Sequence, residues 1–218
     1  MDVHLELESG GCFALFGASG SGKSTVLSCI AGIEQPDDGF VRWDGLSFYP
    51  PPLPLHLRGV GYLTQDPHLF PHLTVQQNIA FGLAAARSRA ESEWLERLRD
   101  SLGLADIWKA AASQISGGQA RRAGVARMLA RRPPLVLLDE PFNGLDRQLR
   151  RELLEALEVW RREIGFSMIV VDHESEILER LCSSVAVIAQ GRIVQQGSWA
   201  AVRAAPIDRV LDNLLRPL

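Results

Sequence analysis

Apolar residues in this chain come in short unbroken blocks, separated by glycines and acidic turns, with one long amphipathic stretch among them. Cys12 to Phe16 is such a block, and Leu135 to Leu138, Met168 to Val171 and Ser184 to Ala189 repeat the pattern. Runs of that length without polar alternation predict buried strands. Ser24 to Ile33 predicts a helix ending near Gly32, and Asp37-Asp38-Gly39 a turn into a hairpin strand over Phe40 to Trp43. Pro50, Pro51, Pro52 and Pro54 exclude a helix interior or central strand and predict a stiff surface loop. Asp66 to Arg131 is mostly helical in pattern. Its charged middle, Arg87 to Leu104, carries Glu91, Glu93, Glu96, Arg97 and Arg99 and reads as a solvated face. From Arg147 to Ile164, the residues Leu149, Leu153, Leu157, Trp160 and Ile164 recur at spacings of 4, 4, 3 and 4. That is one face of a helix, with Gly165 as its stop. Gln190-Gly191 predicts a tight turn into Ile193 to Gln195. Strands alternating with helices, and a helical segment inserted between about Asp66 and Arg131, predict an α/β fold with a largely parallel sheet.

Composition excludes more than it names. With 218 residues and 46% hydrophobic content, the chain fits one domain, residues 1–218, with a sizeable core. The 23 basic and 26 acidic side chains leave a net charge of −3, which argues against nucleic acid as a partner. No run approaches the roughly 18–20 apolar residues of a membrane span. Met1-Asp2-Val3-His4 lacks the basic start and apolar block of a secretory signal. Cys12, Cys29 and Cys182 are odd in number, far apart and outside any CxxC, so neither a disulfide framework nor a zinc ribbon is expected. These features predict a reduced, soluble, cytoplasmic protein.

The chemistry lies between the blocks. Gly17-Ala18-Ser19-Gly20-Ser21-Gly22-Lys23-Ser24 matches G-x-x-x-x-G-K-[ST], set between a strand and a helix. A triphosphate is cradled by loop amides that all point inward, and Gly20 and Gly22 allow close approach. Lys23 would reach the β- and γ-phosphates and Ser24 would complete Mg²⁺ coordination, with Thr25 extending the binding set. Asp139, ending a four-residue apolar run, can hold Mg²⁺ through water, and Glu140 can deprotonate the attacking water. Ile115-Ser116-Gly117-Gly118-Gln119 precedes a helix over Ala120 to Ala130 and makes a second anion nest. One nucleotide needs only one such nest. The economical arrangement is a head-to-tail pair of chains, each giving its phosphate loop to one ATP and its second nest to the other.

On these residues the chain resembles the ATP-binding cassette (ABC) ATPases from about Gly10 to Gly197. Ile115 to Gln119 is similar to their LSGGQ signature, Gln65 to the Q-loop glutamine, Asn143-Gly144-Leu145-Asp146 to the D-loop, and His173 to the switch histidine. The resemblance implies a P-loop NTPase with a largely parallel sheet, an antiparallel β-subdomain and an inserted helical subdomain. It also implies ATP and Mg²⁺ as cofactors. Glu140, His173 and Gln65 become the catalytic set, Ser24, Gln65 and Asp139 the metal set, and the loop from Gly17 to Thr25 with Ser116 to Gln119 the nucleotide set. His173 is then placed near the γ-phosphate, where a donor stabilises developing charge.

Four features depart from the family pattern. Asn143 replaces a small residue, Asp172 stands where Thr or Ser commonly precedes the switch histidine, and Gly124 sits inside a helix at roughly 1 kcal/mol against Ala. No aromatic occurs in the first eleven residues, so adenine stacking is expected to be weak, with His4 a poor substitute or the ring stacked on a partner chain instead. Arg121, Arg122, Arg127, Arg131 and Arg132 are expected to form a solvated helix face, the alternative being a phosphate or partner contact. His56, His68 and His72 lack metal-site spacing, and the tryptophans are scattered as core or interface anchors. Short length and the lack of heptads count against the DNA-maintenance relatives, and a single cassette against the translation-associated ones.

The stretches Asp66 to Val75 and Asn78 to Leu83 resemble importer subunits for molybdate, sulfate, ferric iron, thiamine or polyamines. An exporter or a non-transport ATPase is the alternative. The implied partners are an identical or paralogous cassette, separate transmembrane permease subunits and an extracytoplasmic solute-binding protein. The implied place is peripheral, on the cytoplasmic side of the cell membrane. Leu69, Phe70 and Leu73 are the expected permease contact, where burial would contribute several kcal/mol before association costs. With about twenty residues after Gly197, no carboxyl-terminal regulatory domain is expected.

Overall fold

The structure is a computed structural model that describes residues 1–83 and 88–206, the Arg89 side chain excepted. Arg87, where the charged segment was expected to begin, and the stretch beyond residue 206 lie outside the described residues. The chain forms two compact units, Met1–Tyr62 with Pro134–Glu140 and Phe166 onward, and Leu63–Pro133 with Pro141–Gly165.

The first unit holds strands β1 (Cys12–Phe16), β2 (Val41–Trp43), β3 (Leu46–Tyr49), β4 (Val60–Leu63, whose last residue begins the second unit), β5 (Leu135–Asp139), β6 (Ser167–Val171), β7 (Ser184–Ala189) and β8 (Arg192–Ser198). Its helices are α1 (Lys23–Ala31), α6 (Ser175–Leu181) and α7 (Trp199–Ala204). Six strands lie in the order β4-β5-β6-β1-β7-β8, and β2 and β3 make a separate antiparallel pair. Within the six-stranded sheet β1 is parallel to both β6 and β7 and β5 is parallel to β6, while β7 and β8 are antiparallel. All five residues of β1, β5 and β6 are buried, as unbroken apolar runs require in a sheet covered on both faces. Leu15 is paired with Val171, and Val171 with Asp139, so the carboxyl ends of β1, β5 and β6 come out side by side.

Helix α1 leaves the loop after β1 and lays Val26, Leu27 and Ala31 on a core of Phe13, Leu15, Leu137, Ile169, Val171 and Ile188. Gly32 ends it at φ 87°, as the sequence predicts, and has a second reason to be glycine. A Cβ there would stand 2.3 Å from Cζ of Arg58. Arg58, in the turn before β4, is 4% exposed and donates to the carbonyls of Leu53, Cys29, Ile30 and Phe48 at 2.9–3.1 Å.

One expectation fails here. Cys12 and Cys182 form a disulfide across 170 residues, with S–S 2.26 Å and Cα–Cα 4.7 Å. Adjacency of β1 to the chain that follows α6 creates this pair, and sequence separation conceals it. Cys29 stays a free thiol.

The second unit is helical, with α2 (Val75–Ala80), α3 (Arg89–Ser101), α4 (Gly117–Leu129) and α5 (Arg147–Ile164). α2, α3 and α4 each begin with a capping box, through Thr74/Gln77, Ser88/Glu91 and Ser116/Gln119. Asp146 caps α5 by accepting from the Gln148 and Leu149 amides at 2.9 Å. The charged segment has an apolar reverse side. Trp94 meets Trp160 edge-on at 6.2 Å and donates to the Leu129 carbonyl, and Leu95, Leu98, Leu102 and Leu104 are buried with it. Most charges of α3 face water, while Arg97 reaches Glu163 at 2.6 Å. Among the described residues, no helix is long and apolar enough to cross a membrane.

Candidate active site

In the first unit the parallel register assembles the site. The loop after β1 turns into α1 through Gly17 at φ 158° and Gly22 at φ 106°. Gly17 has no room for a side chain, since a Cβ there would lie 2.2 Å from the Ile188 carbonyl oxygen, and at Gly22 the left-handed backbone itself favours glycine. Lys23 is buried and donates to the Gly17 and Ala18 carbonyls at 2.9 and 2.8 Å, drawing the loop around its ammonium. Burial pushes its pKa down, and the nearby Glu140 and Asp139 work against that. Ser21 Oγ is buried without a hydrogen-bond partner among the described residues. A lone buried hydroxyl in a loop of inward amides suits an anion that accepts from it. Ser24 is exposed and Thr25 half-buried in the first turn of α1.

Asp139 ends β5 at 4% exposure, and the Tyr62 phenol hydrogen-bonds the side chains of both Ser28 and Asp139. Glu140 follows at φ 51°, a left-handed backbone that costs a non-glycine residue about 1–2 kcal/mol. Its amide donates to the Val171 carbonyl at 2.9 Å, which holds that conformation against β6. His173, just beyond β6, places Nε2 2.5 Å from Glu140 Oε1. Asp172 turns inward. Its Oδ1 accepts from the His173 and Glu174 amides at 2.7 and 3.1 Å, and its Oδ2 has no partner among the described residues. Burial raises the Asp172 pKa, and the two amide bonds oppose this.

The second unit carries the other predicted residues. Ser116 Oγ accepts from the Gln119 amide at 3.3 Å, and Gln119 Oε1 accepts from the Ser116 amide at 2.9 Å. The capping box thus uses two of the four leading amides, so Gly117 and Gly118 are the donors the turn offers to an anion. Gly118 is half-buried against the Asn143–Asp146 turn, where a Cβ would meet the Gly144 oxygen at 3.3 Å and Leu145 at 3.5 Å. Gln65 is exposed at the end of the segment leaving β4.

Comparison with known families decides what this is. The model of the ABC transporter family, ABC_tran, matches residues 1–143. The chain belongs to the ABC transporter family. It is 41% identical over 214 residues to the putrescine transport ATP-binding protein PotG of Escherichia coli, covering 95% of this chain and 55% of that protein. It is 37% identical over 218 residues to the molybdate/tungstate import ATP-binding protein WtpC of Pyrococcus abyssi, covering 98% of this chain and 62% of that one. The chain therefore spans a little over half the length of these curated relatives. The dimeric structure of a post-hydrolysis state of the ATP-binding cassette MJ0796, bound to ADP and Pi, matches with a TM-score of 0.81 at 27% identity, over 90% of this chain and 88% of that one. The fold is that of a P-loop NTPase.

Within this ABC cassette, a hydroxyl at Ser24 and a buried carboxylate at Asp139 are hard oxygen donors of the kind Mg²⁺ takes together with substrate phosphates, so the residues fit the ion. Sequence reasoning missed Tyr62 as the partner of Asp139, because a tyrosine on a strand carries no motif. It also misplaced the arginines of α4. Arg121 is buried, Arg122 and Arg127 are half-buried and Arg122 bonds the Leu102 carbonyl at 2.6 Å, whereas Arg131 and Arg132 are exposed as expected. His4 is exposed and pairs with Glu6 at 3.5 Å, while Met1 lies against Gly22 and Gly191 beside the phosphate loop.

Proposed function

We propose that this chain binds and hydrolyses ATP with Mg²⁺ and drives import of a small solute through separate permease subunits. The observation that carries the reading is the shared carboxyl edge of β1, β5 and β6. It sets the phosphate loop, Asp139, Glu140 and His173 together and leaves Glu140 2.5 Å from His173. Phosphate oxygens are bound by the loop amides, Ser21 and Lys23. Ser24 and Asp139 would hold a Mg²⁺, which would neutralise charge on the phosphates. Glu140 accepts a proton from water as its oxygen bonds to the γ-phosphorus and the bond to the ADP oxygen breaks. His173 orients Glu140 and donates toward the phosphoryl oxygens, and Gln65 steadies the water.

Ser116 and Gly118 act on the nucleotide of a second cassette, identical or paralogous, as the dimeric state of the MJ0796 neighbour supports. Closure on two ATPs and reopening after hydrolysis is a ligand-driven population shift that the permease converts into alternating access. Import is favoured over export because the relative WtpC is a molybdate/tungstate import ATP-binding protein. Such a subunit works at the cytoplasmic side of the membrane, with an extracytoplasmic solute-binding protein in the same system. Leu69, Phe70 and Leu73 are half-buried, and Phe70 rests on the exposed Phe81 ring at 4.4 Å, leaving an apolar shelf for a permease helix. In cells carrying Leu69→Asp, solute uptake should fall while the purified chain binds ATP as wild type does. Intact uptake would overturn the permease contact, and absence of any ATP hydrolysis by the wild-type chain with its partners would overturn the function.

A further inference from the structure

Arg121, Gly124 and Arg127 recur every third residue along α4, one stripe of the helix. The loop that carries Gln65 is seated on that stripe, and both belong to the second unit. Arg121 Nη1 donates to the Thr64 carbonyl at 3.0 Å, and Nη2 donates to the carbonyl of Gln65 itself. Six residues on, Arg127 donates to the His68 carbonyl at 2.9 Å and the Pro67 carbonyl at 2.5 Å. Between them Gly124 gives the loop its room. A Cβ there would stand 2.7 Å from Pro67 Cβ and 3.0 Å from Leu63 Cδ1. A mid-helix glycine that looks costly from the sequence is thus what lets the backbone settle on the helix.

Arg121 is 6% exposed. A guanidinium so buried is tolerable only when hydrogen-bonded, and here it is bonded to the two carbonyls that flank the α-carbon of Gln65. The helix that makes these bonds begins at the Ser116–Gly118 turn. Two parts of the site that are about fifty residues apart in sequence are therefore fixed to one rigid element.

We propose that Arg121 is a positioning residue for Gln65. It holds the backbone on both sides of that residue so that the side chain is presented in one place. This inference rests on the reading of Gln65 as a residue of the hydrolytic site.

The test is a double-mutant cycle in Mg·ATP hydrolysis with Arg121→Met and Gln65→Ala, singly and together, with thermal unfolding of each. Misplacing a catalytic side chain by about 1 Å costs up to roughly a hundredfold, so Arg121→Met should lower kcat by about ten- to a hundredfold. KM for ATP should change less than about twofold, because the phosphate loop is untouched. In the Gln65→Ala background Arg121→Met should cost nothing further, since the residue it positions is gone. Arg121→Gln, which keeps one amide donor for a carbonyl, should fold and retain part of the rate. Losses that multiply in the double variant, or wild-type kcat in both Arg121 variants, would overturn the proposal. Wild-type kcat in Gln65→Ala would instead overturn the reading of Gln65, and the proposal with it.

Discussion

Replacing Arg58 by methionine removes one guanidinium that serves four carbonyls at 2.9–3.1 Å, two of them the Cys29 and Ile30 oxygens near the end of α1. A hydrogen bond to a charged donor contributes about 1.5–3 kcal/mol, so four give about 6–12 kcal/mol gross. Against this stands the desolvation of a 4%-exposed cation, several kcal/mol that methionine relieves while keeping the apolar stem. The net loss should be about 3 kcal/mol. Lysine separates geometry from charge, because its compact ammonium cannot reproduce the planar fork and stays buried with fewer bonds. Arg58→Lys should therefore cost about as much as Arg58→Met. Urea unfolding followed by circular dichroism is the assay, and at a slope near 3 kcal/mol/M the midpoint should drop by about 1 M in both variants. A lysine variant with the wild-type midpoint beside a weakened methionine variant would refute the reasoning. So would two unchanged midpoints.

Other consequences follow from the same structure. Gly124→Ala should destabilise the chain by about 1 kcal/mol, because overpacking against Pro67 and Leu63 at 1–3 kcal/mol outweighs the roughly 1 kcal/mol of helix propensity gained; a more stable variant in urea unfolding would contradict the close seat. Burial holds the Asp172 carboxyl above its ordinary 3.8, so the fold favours the neutral acid. Its contribution is complete below that value and declines as pH rises through 3.8 toward the raised folded value. Asp172→Asn should flatten that decline in unfolding midpoints measured from pH 4 to pH 7, and an unchanged slope would show that the carboxyl ionises freely.

Much of this fold was legible because each element carried its own local signal. The buried strands showed as apolar runs, α5 as a 3.6-residue period, and α1 and α5 ended at Gly32 and Gly165 as expected. The phosphate loop and the Asp139-Glu140 pair were legible for a similar reason, since each combines a strand end with chemistry adjacent in sequence. What remained hidden depends on long-range neighbours. The Cys12–Cys182 bond needs β1 beside the chain after α6, and the Glu140–His173 pair needs β5 beside β6. The short helices α6 and α7, with seven and six residues, have too few turns to show a period. The α4 arginines misled because charge on a helix ordinarily faces water, whereas Arg121 and Arg127 bond carbonyls of the Gln65 loop and Arg122 bonds the Leu102 carbonyl.

The central claim is that Glu140 takes the proton from the attacking water while the loop around Lys23 binds the nucleotide. Glu140→Gln is nearly isosteric and can still hydrogen-bond His173, so binding should survive and proton abstraction should not. Single-turnover hydrolysis of Mg·ATP, read together with the sedimentation of the chain, tests this most directly. ATP affinity should stay close to wild type, hydrolysis should slow by about a hundredfold or more, and a dimer should persist while ATP is present. Hydrolysis at a near wild-type rate in Glu140→Gln would contradict it.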